Sequence, residues 1–120
     1  MAFMNDEVFD QGLDWAVTNG TRLHLVSTDP GGTYATVTGN DLGDAAVTQT
    51  QGNGATDGRA NTCPETTITP SGTGTATHWA ITNNTDTVVA SGALSASIAV
   101  TSGIDVTVAA FAACTIRDAA

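Results

Sequence analysis

The pattern of hydrophobic and polar positions divides the chain after residue 20. Beyond that point Val, Ala, Ile and Leu alternate with Thr and other polar residues, and turn residues recur about every ten positions, which is typical of antiparallel β structure. The strands predicted from this pattern cover residues 22–27, 33–38, 46–51, 66–69, 75–82, 87–91 and 104–116.

Gly, Pro, Asn and Asp mark the connections between these strands. Turns are predicted at 29–32, 39–41, 52–54, 83–84 and 102–103. Residues 49–62 lack apolar periodicity, so they are predicted to form one long loop.

The last predicted strand has the clearest alternation. One side is formed by Ile104, Val106, Val108, Ala110, Ala112, Cys114 and Ile116. Its length predicts a bend or bulge near residues 109–113. Together with the aromatic anchor of an earlier strand, this side supplies the predicted core, which comprises Trp79, Ile81, Val106 and Val108.

Residues 5–19 are predicted to form the single α-helix, with Asn5 or Asp6 as its cap and Asn19-Gly20 as its stop. At about 100° per residue, its apolar side chains sweep an arc wider than one half-buried face. Two interpretations follow. Either the helix lies between its own sheet and a partner, or Val8 and Trp15 are hydrophobic residues that the core does not need.

Length and composition favour one globular domain. The 120 residues include 41% hydrophobic and 12% charged residues, a balance that belongs to folded proteins. The expected fold is mainly β: a small antiparallel β-sandwich over residues 21–118 with one N-terminal α-helix.

Charge excludes some classes of partner. Twelve acidic residues face three basic ones, for a net charge of −9. Nucleic acid and anionic membrane surfaces both attract clustered Lys and Arg, so we expect neither as a partner.

The residues that could carry chemistry are few. His24 and His78 lie inside predicted strands, and no nucleophile motif accompanies them, so both are interpreted as structural. Cys63 and Cys114 are interpreted as buried thiols, with a disulfide as the alternative, and they supply too few ligands for zinc. We therefore expect no catalytic residues, no metal and no cofactor.

Several blocks of the chain resemble small virion proteins of tailed bacteriophages. The blocks that carry the resemblance are residues 8–13, 19–23, 29–30, 72–82, 88–94, 101–103, 106–108 and 116–118. Together they span most of the chain. The resemblance implies a head-decoration (capsid cement), head-spike or fibre-base role without catalytic residues.

The function expected from this resemblance is to bind and stabilise the capsid shell on the outer surface of the virion, after assembly in the host cytoplasm. The partners would be the major capsid protein and copies of the chain itself, including a trimer, or other spike or fibre proteins. The predicted contact residues are Val8, Phe9, Leu13 and Trp15. The alternatives are a base or adaptor of a head spike or tail fibre, and a carbohydrate-binding adhesion module.

Overall fold

The computed structural model describes the backbone of residues 6–54 and 58–116 and the side chains of residues 11–54 and 58–116. It confirms a mainly β fold with antiparallel strands and an N-terminal helix. In chain order the elements are α1 (Asp6–Asn19), β1 (Arg22–Val26), α2 (Tyr34–Asn40), β2 (Asp41–Ala46), β3 (Thr50–Asn53), β4 (Arg59–Cys63), β5 (Thr66–Ile68), β6 (Gly74–Thr82), β7 (Val88–Val100), β8 (Val106–Val108) and β9 (Phe111–Ile116).

Two layers of sheet enclose the core. The first layer is a four-stranded sheet with the order β2-β1-β6-β7, and the second is divided into the sheets β3-β4-β9 and β5-β8. Buried residues of both layers form one cluster, which comprises Leu23, Leu25, Val47, Cys63, Ile68, Ala76, Ile81, Val100 and Val108. The alternation seen in the sequence arises because successive side chains of a strand point to opposite faces.

Helix α1 packs on the second layer and is held there by buried amides. The side-chain nitrogen of Asn61 donates to the Leu13 carbonyl at 3.0 Å. The Gln49 amide nitrogen donates to the carbonyls of Ala16 and Gly20. Ala16 and Gly20 lie at the end of the helix, where carbonyls are less fully paired within it, although the Ala16 carbonyl also accepts the backbone N–H of Gly20. Leu13 lies further inside the helix.

Residues 33–38 were predicted to form a strand, and this prediction is wrong. They belong to the short helix α2, where Val37 is completely buried beside Val26 and Ala80. Val37 is the one buried residue of this helix. The Asn40 side chain also donates to the Thr36 carbonyl. Tertiary packing thus overrides the β preference of Thr and Val.

The long loop predicted over residues 49–62 is also wrong. Strands β3 and β4 pair antiparallel from Thr50↔Thr62 to Asn53↔Arg59. Most side chains of this hairpin are polar, so apolar periodicity could not reveal it. Asn61 shows how the hairpin is nonetheless anchored, because its polar side chain is fully buried under α1.

The predicted break in the last strand is confirmed, but the predicted alternation does not continue through it. Residues 109 and 110 separate β8 from β9. After the break Phe111 and Ala113 pack against the core, whereas Ala110 and Ala112 are exposed. Ile104 is likewise 63% exposed instead of facing the core.

Candidate interaction surface

The C-terminal quarter of the chain forms a surface with almost no charge. Between Thr87 and Ile116 the only charged residue is Asp105, although the chain carries a net charge of −9. Strands β7, β8 and β9 all lie in this stretch. We call the exposed part of these three strands the neutral surface.

Strand β7 forms one edge of the four-stranded sheet, and β9 forms one edge of the three-stranded sheet. Exposed edges offer unpaired backbone groups to other chains, and proteins commonly protect them with charged side chains. The opposite edge, β2, has such protection from Asp41 and Asp44, but neither β7 nor β9 carries a charge.

Two bulges interrupt the pairing of β7 with β6. The smaller one lies at Val89, where the register passes from Ile81↔Ala90 to Thr82↔Val88. At the larger one the register passes from Ala76↔Ile98 to His78↔Ala93, so the four residues 94–97 lie opposite Thr77 alone. Such a bulge leaves extra residues without ladder partners and bends the strand away from its neighbour.

A cavity of about 390 Å³ lies between the larger bulge and the break that separates β8 from β9. It is lined by Trp79, Ala93, Leu94, Ser95, Ala96, Ile98, Thr107, Val108, Ala109, Ala110, Phe111 and Ala112. The Trp79 and Phe111 rings meet with their centroids 4.7 Å apart and their planes tilted by 52°. None of the lining residues is charged, so the cavity suits an uncharged group with an apolar body.

The predicted contact residues of α1 differ in how far they are exposed. Leu13 is only 2% exposed, so its prediction as a surface contact is wrong, and the residue belongs to the interface between α1 and the second layer. Trp15 is 55% exposed and remains available to a partner. Val8 and Phe9 lie in α1, but their side chains fall outside the described part of the structure.

The predicted core residues lie at different depths. Ile81 is completely buried and Val108 is 6% exposed. Val106 and Trp79 are half-buried and pack against the same cluster. Trp79 therefore packs at the margin of the core and also forms part of the cavity wall.

A second candidate site is a charged cluster on the opposite face of the four-stranded sheet. His24 is 3% exposed, and its Nδ1 lies 3.0 Å from Asp41 Oδ2 while its Nε2 lies 2.8 Å from Thr82 Oγ1. Asp44 binds the Arg22 guanidinium at 2.5 Å. Strands β1, β2 and β6 bring these residues together through their registers.

Burial and charge act differently on the two carboxyl groups of the cluster. Burial raises the pKa of Asp41 above its usual 3.8 and outweighs the opposing hydrogen bond and charge of His24. Burial opposes ionisation of Asp44 too, but hydrogen bonds with Asp41 and Arg22, together with the Arg22 charge, hold its pKa below 3.8. The cluster therefore keeps a proton on Asp41 more readily than on Asp44.

The donor atoms of His24, Asp41 and Asp44 lie within 4.8 Å of one another, a spacing that a metal ion could bridge. The cluster has internal partners, however, because Arg22 already neutralises Asp44. We interpret it as a structural network that joins β1 to the edge strand β2. Sequence reasoning missed it, because Asp41 was assigned to a turn and Asp44 lay outside every predicted strand.

The two thiols are free in the structure, with Cys63 buried and Cys114 half-buried. Burial raises the pKa of both thiols. This agrees with the interpretation as buried thiols rather than as a disulfide.

Comparisons of the chain with protein-family models, with curated proteins and with solved structures found no match. Within the described residues, neither helix has the length and apolar character needed to cross a bilayer.

Proposed function

We propose that this protein is a non-enzymatic structural component of a tailed-phage virion that binds the outer surface of the capsid shell and stabilises it. The observation that carries the proposal is the neutral surface with its cavity, on a chain that is otherwise strongly acidic. The resemblance of the sequence to small virion proteins gives the proposal its biological setting.

The neutral surface supports a docking role because removing it from water carries little electrostatic cost. Burial of apolar area contributes about 25 cal/mol per Å², whereas an unpaired charge at an interface would oppose binding. An apolar side chain of the shell protein entering the cavity would contact Trp79 and Phe111. Exposed Trp15 on α1 offers a second apolar contact.

Copy number would turn such contacts into mechanical support. A decoration protein binds many equivalent joints of a shell, so modest single contacts act together. The acidic remainder of the molecule would face solvent and keep decorated particles apart by mutual repulsion.

The proposal is tested on purified particles of the phage that encodes the chain. Quantitative mass spectrometry should find the protein in many copies per virion, and heating should release DNA at a lower temperature from particles that lack it. Absence of the protein from mature particles would refute the proposal. A few copies at one vertex would instead support the base or adaptor of a head spike or tail fibre.

A charge placed at the cavity provides a sharper test. Ala112→Arg adds a guanidinium to an exposed lining residue of β9, and Thr115→Arg adds the same charge on that strand outside the cavity. We expect Ala112→Arg to weaken binding to undecorated particles by about tenfold or more, equivalent to about 1.4 kcal/mol. Thr115→Arg should bind normally, and equal binding by both variants would contradict a docking role for the cavity.

One observation favours the alternative of a carbohydrate-binding module, because Trp79 and Phe111 line an uncharged cavity beside Ser95 and Thr107. Aromatic rings can stack on sugars as well as on protein groups. Binding of the folded protein to a glycan array, abolished by Trp79→Phe but not by Trp15→Phe, would favour this alternative over the capsid.

A further inference from the structure

We infer that the β7 edge, residues 88–93, pairs antiparallel with the same edge of a second copy of this chain. The pairing would join two four-stranded sheets into one continuous sheet of eight strands. It deepens the proposed function, on which its biological meaning rests, by naming how copies join one another.

The first argument comes from the side chains that would face one another. Two copies of residues 88–93 related by a twofold axis place Ala90 opposite Ser91 beside the axis, with Gly92 and Ala93 of one copy opposite Val89 and Val88 of the other. Val89 is the extra residue of a second, smaller bulge against β6. All six residues are uncharged and small or medium in size. Two backbones can therefore approach to the normal spacing of about 4.8 Å without a like-charge pair.

The second argument comes from comparing the two edges of the same sheet. Pairing of β2 with its own copy would bring together two clusters in each of which two carboxyl groups, those of Asp41 and Asp44, share one arginine, Arg22. Like charges opposite each other destabilise a strand pair. The charged edge thus disfavours self-association, whereas the neutral edge permits it.

The third argument is that the contact closes on itself. A twofold interface uses the same patch on both molecules, so each copy occupies the other's edge. The outer strands of the enlarged sheet would then both be β2, whose carboxylates oppose the addition of a third molecule. The bulge at residues 94–97 ends the pairing on one side. A discrete dimer follows, rather than an open filament.

Charge elsewhere in the molecule opposes the association at long range. Each chain carries a net charge of −9, and repulsion between like-charged molecules is screened by salt over a Debye length of about 8 Å at 0.15 M. We therefore expect the dimer to tighten as salt is added, which is opposite to the behaviour of an interface held by ion pairs.

Sedimentation velocity of the full chain tests the inference. We expect a monomer–dimer equilibrium whose dissociation constant decreases as NaCl is raised from about 0.05 to about 0.5 M, because the Debye length shortens from about 14 to about 4 Å. Ser91→Lys places two ammonium groups beside the twofold axis and removes the hydrogen bond that Ser91 Oγ donates to the Gly31 carbonyl. This variant should weaken dimerisation by about tenfold or more.

The matched control is Thr75→Lys, which adds the same charge at an exposed position of the inner strand β6. It should dimerise like the wild type. Hydrogen exchange followed by mass spectrometry should locate the contact, with slower exchange in residues 88–93 at dimer-forming concentrations. A wild-type chain that stays monomeric, or a dimer in which Ser91→Lys and the exchange of residues 88–93 have no effect, would overturn the inference.

The two proposals fail separately. If Ser91→Lys is monomeric but still binds particles, the self-pairing holds and capsid binding does not depend on it. If the dimer forms as described but the protein is absent from particles, the proposed function fails while the pairing stands.

Discussion

His24 is a buried polar residue of the first layer. Its ring is nearly inaccessible to water and bridges the side chains of Asp41 and Thr82. The Thr82 hydroxyl also accepts the backbone N–H of Asn84 at 3.0 Å. The imidazole thus connects the edge strand β2 to the turn after β6.

Replacing His24 with Ala should destabilise the fold by about 2–3 kcal/mol, because the substitution leaves buried partners unsatisfied and opens a cavity. His78→Ala is the control, since His78 is half-buried and bonds to the Thr77 hydroxyl of its own strand. It should cost less than about 1 kcal/mol. Urea unfolding measures both values, and equal losses would contradict the bridging role of His24.

The carboxyl groups of the same cluster predict a dependence on pH. The pKa of Asp44 is lower in the folded state than its usual 3.8, so its contribution is present above that value and is lost as pH falls through the folded pKa. Asp41 has a raised pKa, so its ionisation opposes folding as pH rises through that value.

Asp44→Asn should therefore reduce the free energy of unfolding most at neutral pH. The difference from the wild type should shrink as the pH falls below 3.8, the usual pKa of the group. Urea titrations at several pH values between neutrality and strong acid measure this difference. A constant difference across the range would show that the Arg22–Asp44 pair has no electrostatic contribution.

At the scale of elements, one glycine fixes how closely the two layers meet. A Cβ at Gly43 in β2 would lie 2.9 Å from both Ile68 Cγ2 and Pro70 Cα. The second of these atoms belongs to backbone and cannot rotate away. A Cβ at Gly52 in β3 would meet nothing within 4 Å.

Gly43→Ala should consequently cost about 1–3 kcal/mol through overpacking. Gly52→Ala, the same chemical change on another strand, should stay within about 0.5 kcal/mol of the wild type. Thermal and urea unfolding compare the two variants. A neutral Gly43→Ala would mean that β5 can move away from β2 without loss.

Elements with clear signals could be predicted from the sequence. The sequence of helix α1 starts with residue types that favour a cap and is followed by Gly20, and β1 and β6 lie close to the predicted strands 22–27 and 75–82, so their existence and type follow from local patterns. Helix α2 could not be predicted, because its seven residues are poor helix formers and are selected by the burial of Val37. The strands of the β3–β4 hairpin have only Ala60 and Cys63 as apolar residues, too few to give a periodic pattern, and the hairpin packs against α1.

The candidate surface was less predictable than the fold. The low charge of residues 87–116 is visible in the sequence, but its meaning depends on β7 and β9 lying at sheet edges, which only the strand order shows. Leu13 and Trp15 illustrate the same limit, since both looked apolar and helical, and only packing distinguishes the buried one from the exposed one.

At the scale of the whole molecule, α1 depends on two buried amides for its position. Asn61 is completely buried, and its Oδ1, like Gln49 Oε1, has no hydrogen-bond partner among the described residues. Such unsatisfied acceptors cost free energy. The stabilising contribution of each amide therefore comes from its donor group, which binds the Leu13 carbonyl within α1 in the case of Asn61 and the carbonyls of Ala16 and Gly20 at the helix end in the case of Gln49.

Asn61→Ala should loosen α1 and destabilise the protein by about 1–3 kcal/mol, because the buried hydrogen bond that joins β4 to the Leu13 carbonyl is lost. Thr62→Ala, at the adjacent exposed position, should have little effect. Hydrogen exchange should accelerate in α1 for the first variant only. If exchange in α1 is unchanged, the helix is held by its apolar contacts alone.

The carboxylates on β2 affect whether molecules could add to one another edge to edge in acid. Near neutral pH they oppose the addition of another molecule to the outer strand of each sheet. Asp41 would take up a proton first during acidification, and Asp44 would keep its charge until a lower pH. Below that point these carboxylates would no longer oppose a second sheet, and the repulsion between molecules would come from their positive charges, since the three Arg residues stay charged. Because salt screens that repulsion, strong acid with added salt should convert a suspension of discrete particles into long ribbons.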